Sequence, residues 1–192
     1  VAGPWARQPT EYLDPSYLSP PEIHQLVEAF GGPWLALAAT SARQLEALTS
    51  GGTLPPDWAV IGSDGKARPS VPPGRSSGPA RFGFDAARVP IWMASSCNAG
   101  LQAAAASLRP ALQRGHGQVG LDPDGRPDPG TGHPVGLLAE AAAELAAGQT
   151  GAAWSLVDEA ARDDSAHPTY YGSAWVALTE LGFDHQLESC PA

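Results

Sequence analysis

The spacing with the most chemistry in it is that of Asp85 and Arg88, in the stretch Arg81-Phe82-Gly83-Phe84-Asp85-Ala86-Ala87-Arg88-Val89-Pro90-Ile91-Trp92. On a helix, residues three apart are neighbours on one face. An arginine fork beside a carboxylate holds it ionised and aimed. An ionised, oriented carboxylate at a loop–helix junction can serve as a general base. The same two residues admit a plainer reading. Asp85 is also a good helix N-cap, accepting the free amide hydrogens of the first turn, with Arg88 as a local ion partner. Spacing alone leaves both readings open.

The elements that must position this pair read as helices. Ser19-Pro20-Pro21-Glu22 has the cap, first-turn proline and acidic residue of a helix start. Ile23, Leu26, Val27 and Phe30 continue it at amphipathic spacing, and Gly31-Gly32 stops it. Pro33-Trp34 opens a second helix to about Leu48, ended by Ser50-Gly51-Gly52. Asp85 opens a central helix to about Ser96, with Pro90 early in it, where proline costs least. Gly100 reads as a break, with a further helix over Leu101 to Leu112. Three more follow: Val135 to Ala147, Gly151 to Arg162, and Tyr170 to Leu181, with Trp175, Leu178 and Leu181 inward and Gly182 as the stop. The stretches from Val60 to Ala80 and from Arg114 to Pro134 read as long polar loops, the first a rim running into Asp85. This makes about seven helical segments and no clear strand alternation, an all-α domain.

Composition bounds the partners. A chain of 192 residues is one domain by size and buries a real core. A formal charge of −9 argues against a polyanion such as nucleic acid. No apolar run approaches the ~20 residues of a membrane span; no signal peptide is visible, and processing that removes one would also leave an N-terminus without Met. His24, His116, His133, His167 and His185 are scattered without metal-ligand spacing, and neither a phosphate loop nor a serine elbow is present, so no cofactor is expected. Asp122-Pro123-Asp124-Gly125 reads as a turn, since it lacks the oxygen series of a calcium loop. Cys97 and Cys190 are the two cysteines, and their spacing leaves both a disulfide and two separate thiols open.

Four pieces carry a resemblance, in order along the chain. Phe84-Asp85-Ala86-Ala87-Arg88-Val89-Pro90 resembles the Tyr-Asp-Ala-x-Arg-x-Pro signature of glycoside hydrolase family 8. Asp14-Pro15-Ser16-Tyr17-Leu18 is similar to that family's Asn-Pro-Ser-Tyr-Phe, Leu54-Pro55-Pro56-Asp57-Trp58 to its Leu-x-Pro-Asp-Trp, and Tyr170-Tyr171 to the pair starting its last helix. The family holds endo-β-1,4-glucanases, chitosanases, lichenases and xylanases on an (α/α)6 barrel. The match covers only its C-terminal half.

The resemblance implies hydrolysis of a β-1,4-linked polysaccharide with inversion, Asp85 as general base and Arg88 orienting it. It makes Tyr12, Asp14, Tyr17, Asp57, Trp58, Phe84, Tyr170 and Tyr171 candidate substrate-binding residues. For Asp14-Pro15-Ser16 a plain turn stands beside that reading, and for Trp58 a core aromatic stands beside a sugar platform. Phe84 replaces the family's tyrosine and lacks its hydroxyl. The general acid, a glutamate near the family's N-terminus, finds no matching segment here. Without an initial Met, the opening Val1-Ala2-Gly3-Pro4-Trp5 reads like the middle of such an enzyme. A fragment or degenerate half is therefore expected, completed by a missing N-terminal half or by self-association, since half a toroid leaves an apolar edge. A glucan is the first expectation and chitosan, suited by the acidic charge, the second. A helical remnant or glycan-binding module without the acid is the competing class. An exported enzyme is implied, secreted or periplasmic, and with it a Cys97–Cys190 disulfide.

Overall fold

The computed structural model describes residues 10–186. Eight α-helices and five short strands lie among them. α1 (Pro20–Phe30) and α2 (Pro33–Leu48) form an antiparallel pair. Gly31 and Gly32 join them with φ of +56° and +53°, a backbone that side-chain-bearing residues adopt only under strain. α3 (Arg88–Ser95), α4 (Ala99–Ser107) and α5 (Arg109–Gly115) follow, then α6 (Pro134–Ala146), α7 (Thr150–Ala166) and α8 (Tyr170–Phe183).

The core gathers on α6, which is buried continuously from Pro134 to Glu144 and packs against α3, α4, α5, α7 and α8. Alanine makes this possible. Ala139, Ala141, Ala142 and Ala143 are fully buried, and such small side chains let neighbouring helices approach from several directions. α3 supplies the opposing wall with Val89, Ile91 and Met93. The Ala-rich run is thus the hub of the fold rather than one helix among seven.

The all-α expectation holds for the scaffold, but both polar loops contain strands. β1 (Tyr12–Leu13), β2 (Trp58–Ile61) and β3 (Ala67–Ser70) make an antiparallel sheet in the order β1-β2-β3. β4 (Gln118–Leu121) and β5 (Pro127–Gly132) make a second antiparallel pair. Each hairpin closes at an Asp-Gly turn already legible in the sequence, Ser63-Asp64-Gly65-Lys66 and Asp122-Pro123-Asp124-Gly125. In the second, Asp122 accepts the Asp124 amide at 2.9 Å and the Arg126 amide at 2.8 Å. That is the turn chemistry expected of an aspartate there. β4 alternates, with Val119 and Leu121 buried, but four residues are too few for that to stand out in the sequence, so the turns are the clearer signal.

Several boundaries shift for physical reasons. The central helix begins at Arg88, three residues beyond Asp85. It ends before Asn98, whose side chain accepts the Gly100 amide at 2.9 Å and the Leu101 amide at 3.2 Å. Asn98 thereby caps α4, and Gly100 lies inside that helix rather than breaking one. Pro110 falls in the first turn of α5, where its missing N–H costs nothing. In α1, Ile23 is buried but Phe30 is 70% exposed, and on α2 Leu35 is 60% exposed. The amphipathic face read in α1 therefore exists but is only partly covered. On α8, Trp175 turns inward as expected, whereas Leu181 is exposed and Gly182 lies within the helix.

Candidate active site

The segment 81–87 is held between the two hairpins. On one side the Asp57 amide donates to the Arg81 carbonyl at 2.8 Å, just before β2 begins. On the other, Phe82 and Leu121 of β4 exchange hydrogen bonds at 3.0 Å in each direction. The chain then turns through Phe84–Ala87 into α3.

The side chain that caps this turn is Asp57. Its Oδ1 accepts the amides of Gly83 at 3.0 Å and Ala86 at 2.8 Å. A Cβ at position 83 would collide with the Asp57 carboxylate, so glycine there is a condition of the grip. The expectation that Asp85 caps the helix is thus corrected. A residue brought in from another loop satisfies amides on both sides of Asp85, which leaves the Asp85 carboxylate available to other partners.

That partner is Arg88, as its spacing suggested. Arg88 Nη2 donates to Asp85 Oδ1, and Nε donates to the Asp85 carbonyl at 3.3 Å. The same Nη2 donates to Ser16 Oγ at 2.6 Å and stands 3.7 Å from Asp14 Oδ2. Ser16 in turn donates its hydroxyl and its amide to Asp14 Oδ1, at 2.6 and 2.9 Å. Arg88 therefore ties the N-terminal turn to α3. The guanidinium carbon lies 5.7 Å from the ring centroid of Tyr17 and 5.9 Å from that of Trp175. Both rings offer their faces to the cation.

Three carboxyls gather at this turn, and their surroundings differ. The side chain of Asp14 is 3% exposed and that of Asp85 is 41% exposed. Burial pushes the Asp14 carboxyl up from the usual range, against the pull of the Ser16 hydroxyl, and the charge of Asp85 adds to the rise. Burial likewise pushes Asp57 up to about 6, although the Ala86 amide opposes it. Asp85 alone of the three is both clamped by arginine and open to solvent.

Aromatic groups border the turn. Tyr171 donates its hydroxyl to the Phe84 carbonyl at 2.8 Å, and burial pushes its pKa up to about 12. Phe84 meets the His133 ring edge-on, centroids 4.9 Å apart. His133 Nδ1 accepts the Val135 amide at 3.2 Å and so caps α6. Accepting there requires a neutral ring. Desolvation lowers the His133 pKa, in keeping with that role. On α8, Thr169 caps the first turn through Gly172, and Asp164 of α7 accepts the Ser173 hydroxyl at 2.6 Å, so the helix that carries Tyr171 and Trp175 is anchored at its start.

Of the residues singled out in the sequence, Asp14, Tyr17, Asp57, Phe84, Asp85, Arg88 and Tyr171 come together here. For Asp14 both readings are met at once: it makes the Asp-x-Ser turn and faces the arginine. Tyr12 sits on β1 opposite Val60, and Trp58 opens β2 beside a surface cavity. Tyr170 is 93% exposed. Ser16, Trp175 and His133 join the site without having been singled out. Ser16 has a signal, its place two residues after Asp14, while Trp175 reads from sequence only as core. Cys97 is disulfide-bonded, and its expected partner Cys190 lies outside the described residues. Among the described residues no cluster of metal-ligating side chains occurs, and no helix is long and apolar enough to cross a membrane.

Among solved structures, the chain is similar to a GH8 endo-β-1,4-glucanase from an Achatina fulica gut metagenomic library. The TM-score is 0.65 at 20% identity, covering 95% of this chain and 54% of that one. No family model matches, and no curated protein matches in sequence. At that identity the likeness speaks for the fold: a mostly helical, toroid-like array spanning about half the length of the glucanase.

Proposed function

We propose that this chain is the base-bearing part of an inverting glycoside hydrolase that cuts internal β-1,4 bonds of a cellulose-like glucan. The observation that carries the reading is the state of Asp85. It is freed from capping by Asp57, clamped by Arg88, and open to solvent. In this reading Asp85 takes a proton from water on the face of the sugar opposite the leaving group, and Arg88 keeps the carboxylate aimed. Trp58, Phe84 and Tyr171 flank the sugar path. The resemblance to a glucanase fold supports this choice of reaction.

Inversion needs a second carboxyl, an acid roughly 6.5–9.5 Å away, to protonate the glycosidic oxygen. Among the described residues the carboxyls gathered around the turn are all aspartates. The acid then comes from a complementary half of the toroid or from a second copy of the chain. The same observation favours a second reading, a glycan-binding remnant that keeps the cleft without the acid. Chitosan stands as the alternative substrate. Export to the periplasm or medium fits the disulfide at Cys97, since such bonds persist in oxidising compartments.

The test is release of reducing sugar from carboxymethylcellulose, lichenan, xylan and chitosan by the purified chain and by Asp85→Asn. Hydrolysis of the glucans that vanishes in the variant supports the enzyme reading. A folded chain that binds cello-oligosaccharides but releases nothing rules out a second copy as the source of the acid and leaves the complementary half or the remnant. Hydrolysis that survives Asp85→Asn removes Asp85 as the base.

A further inference from the structure

Beside Asp57 lies a cavity of about 460 Å³ lined by Trp58, Ser70, Arg75, Arg81 and Pro129 together with Asp57 itself. Through Asp57 and Trp58 it adjoins the proposed sugar path. Its lining sets Arg75 and Arg81 against the single carboxyl of Asp57, in a chain that holds 20 acidic residues against 11 basic ones. Two of those basic residues meet here. Arg81 pairs with Asp128 at 3.2 Å. Arg75 has no side-chain partner among the described residues, and Asp57 spends its Oδ1 on the Gly83 and Ala86 amides. The Arg75 position is built rather than loose: its amide donates to the Pro72 carbonyl at 3.1 Å, closing a turn that two prolines stiffen. The Ser70 hydroxyl, bonded to the Val71 carbonyl at 3.1 Å, ties down the start of that turn.

An arginine without a partner, next to a tryptophan at the rim of a sugar path, has the chemistry to bind a negative group on a sugar whose ring lies against the indole. We propose that this cavity takes an anionic substituent, a carboxylate or group of like charge, carried by the β-1,4-linked chain. The inference rests on the glycan reading of the site above. It gives that site a preference for acidic or acid-substituted glucans and disfavours the cationic polymer chitosan, although the net charge of the whole chain points the other way. The local field at the cavity, rather than total charge, decides at contact distance, because charges beyond a Debye length are screened.

The experiment measures binding rather than hydrolysis, so that it does not depend on a working base. Carboxymethylated and unmodified cello-oligosaccharides of equal length are titrated calorimetrically into Asp85→Asn, at low and at high salt. The expected result is roughly fivefold tighter binding of the carboxymethylated chains, the size of a partly exposed ion pair. That preference should shrink in high salt, disappear in Arg75→Ala and return in Arg75→Lys. Equal affinity for the two ligands, a preference that survives Arg75→Ala, or binding of neither ligand overturns the proposal. A lost preference alongside normal, Asp85-dependent hydrolysis would reject the cavity and leave the reading of Asp85 standing.

Discussion

Asp57 accepts the amide hydrogen of Ala86 at 2.8 Å, 29 residues further along the chain, and so fixes the turn that carries Asp85. One aspartate thus sets the direction of the other from a distant loop. If Asp57 acts through this grip, its acceptor atom matters more than its charge. Asp57→Asn keeps a carbonyl oxygen for both amides and should retain the fold and most of the activity. Asp57→Ala leaves the Gly83 and Ala86 amides without an acceptor, at a cost of about 2–4 kcal/mol. Urea unfolding of both variants, with glucan hydrolysis beside it, separates the two outcomes.

The raised pKa of Asp57 makes this residue a source of pH dependence. Its carboxyl stands at about 6 when folded, against an ordinary value of 3.8, so in the window between the two the folded state binds more protons than the unfolded one. The contribution favouring the fold is therefore complete below the unfolded value and is lost as pH rises through about 6. The loss amounts to at most about 3 kcal/mol, from ~1.4 kcal/mol per pKa unit. Asp57→Asn cannot ionise, so it should be the more stable protein at neutral pH and converge with wild type in acid. Paired denaturation curves across that window check it.

Arg88 serves Asp85, Ser16 and Asp14 at once while lying over two aromatic rings. A lysine is a point charge on a flexible stem and cannot reproduce that fork. Arg88→Lys should cost about 1–2 kcal/mol of stability in thermal or urea unfolding, because one ammonium group keeps the charge but cannot reach Asp85, Ser16 and Asp14 together. If the base reading holds, kcat should fall about a hundredfold with KM little changed, since a loosely held base is misplaced at the moment of reaction.

Tyr171→Phe removes one hydrogen bond to the Phe84 carbonyl and keeps the ring. A loss of about 1 kcal/mol is expected, with a modest fall in kcat. Burial holds the Tyr171 proton to about 12, so the alkaline difference spectrum between wild type and variant should show its phenolate only near that pH.

Phe30 and Leu35 stand exposed on the α1–α2 pair, the partly covered face expected of an open toroid. Replacing both with serine should lower dye binding and concentration-dependent association in sedimentation, while thermal stability stays within about 0.5 kcal/mol, as for exposed positions. A large loss of stability would mean that these side chains are packed in solution.

The helices and the Asp85–Arg88 pair were legible because their signals are local. Proline and serine starts, glycine stops, apolar spacing and a separation of three residues act over one or two turns of chain. The two hairpins were legible mainly at their turns, because in strands of four to six residues even the alternation of Val119 and Leu121 in β4 is too short to stand out. What the sequence could not show is which carboxylate caps, which one is buried and which one is open. Those differences come from the packing of residues 14–16, 57 and 81–88 between two hairpins and two helices. Burial, shared partners and the field of neighbouring charges act through space, so the division of labour among Asp14, Asp57 and Asp85 was settled only when the tertiary structure brought all three to one turn.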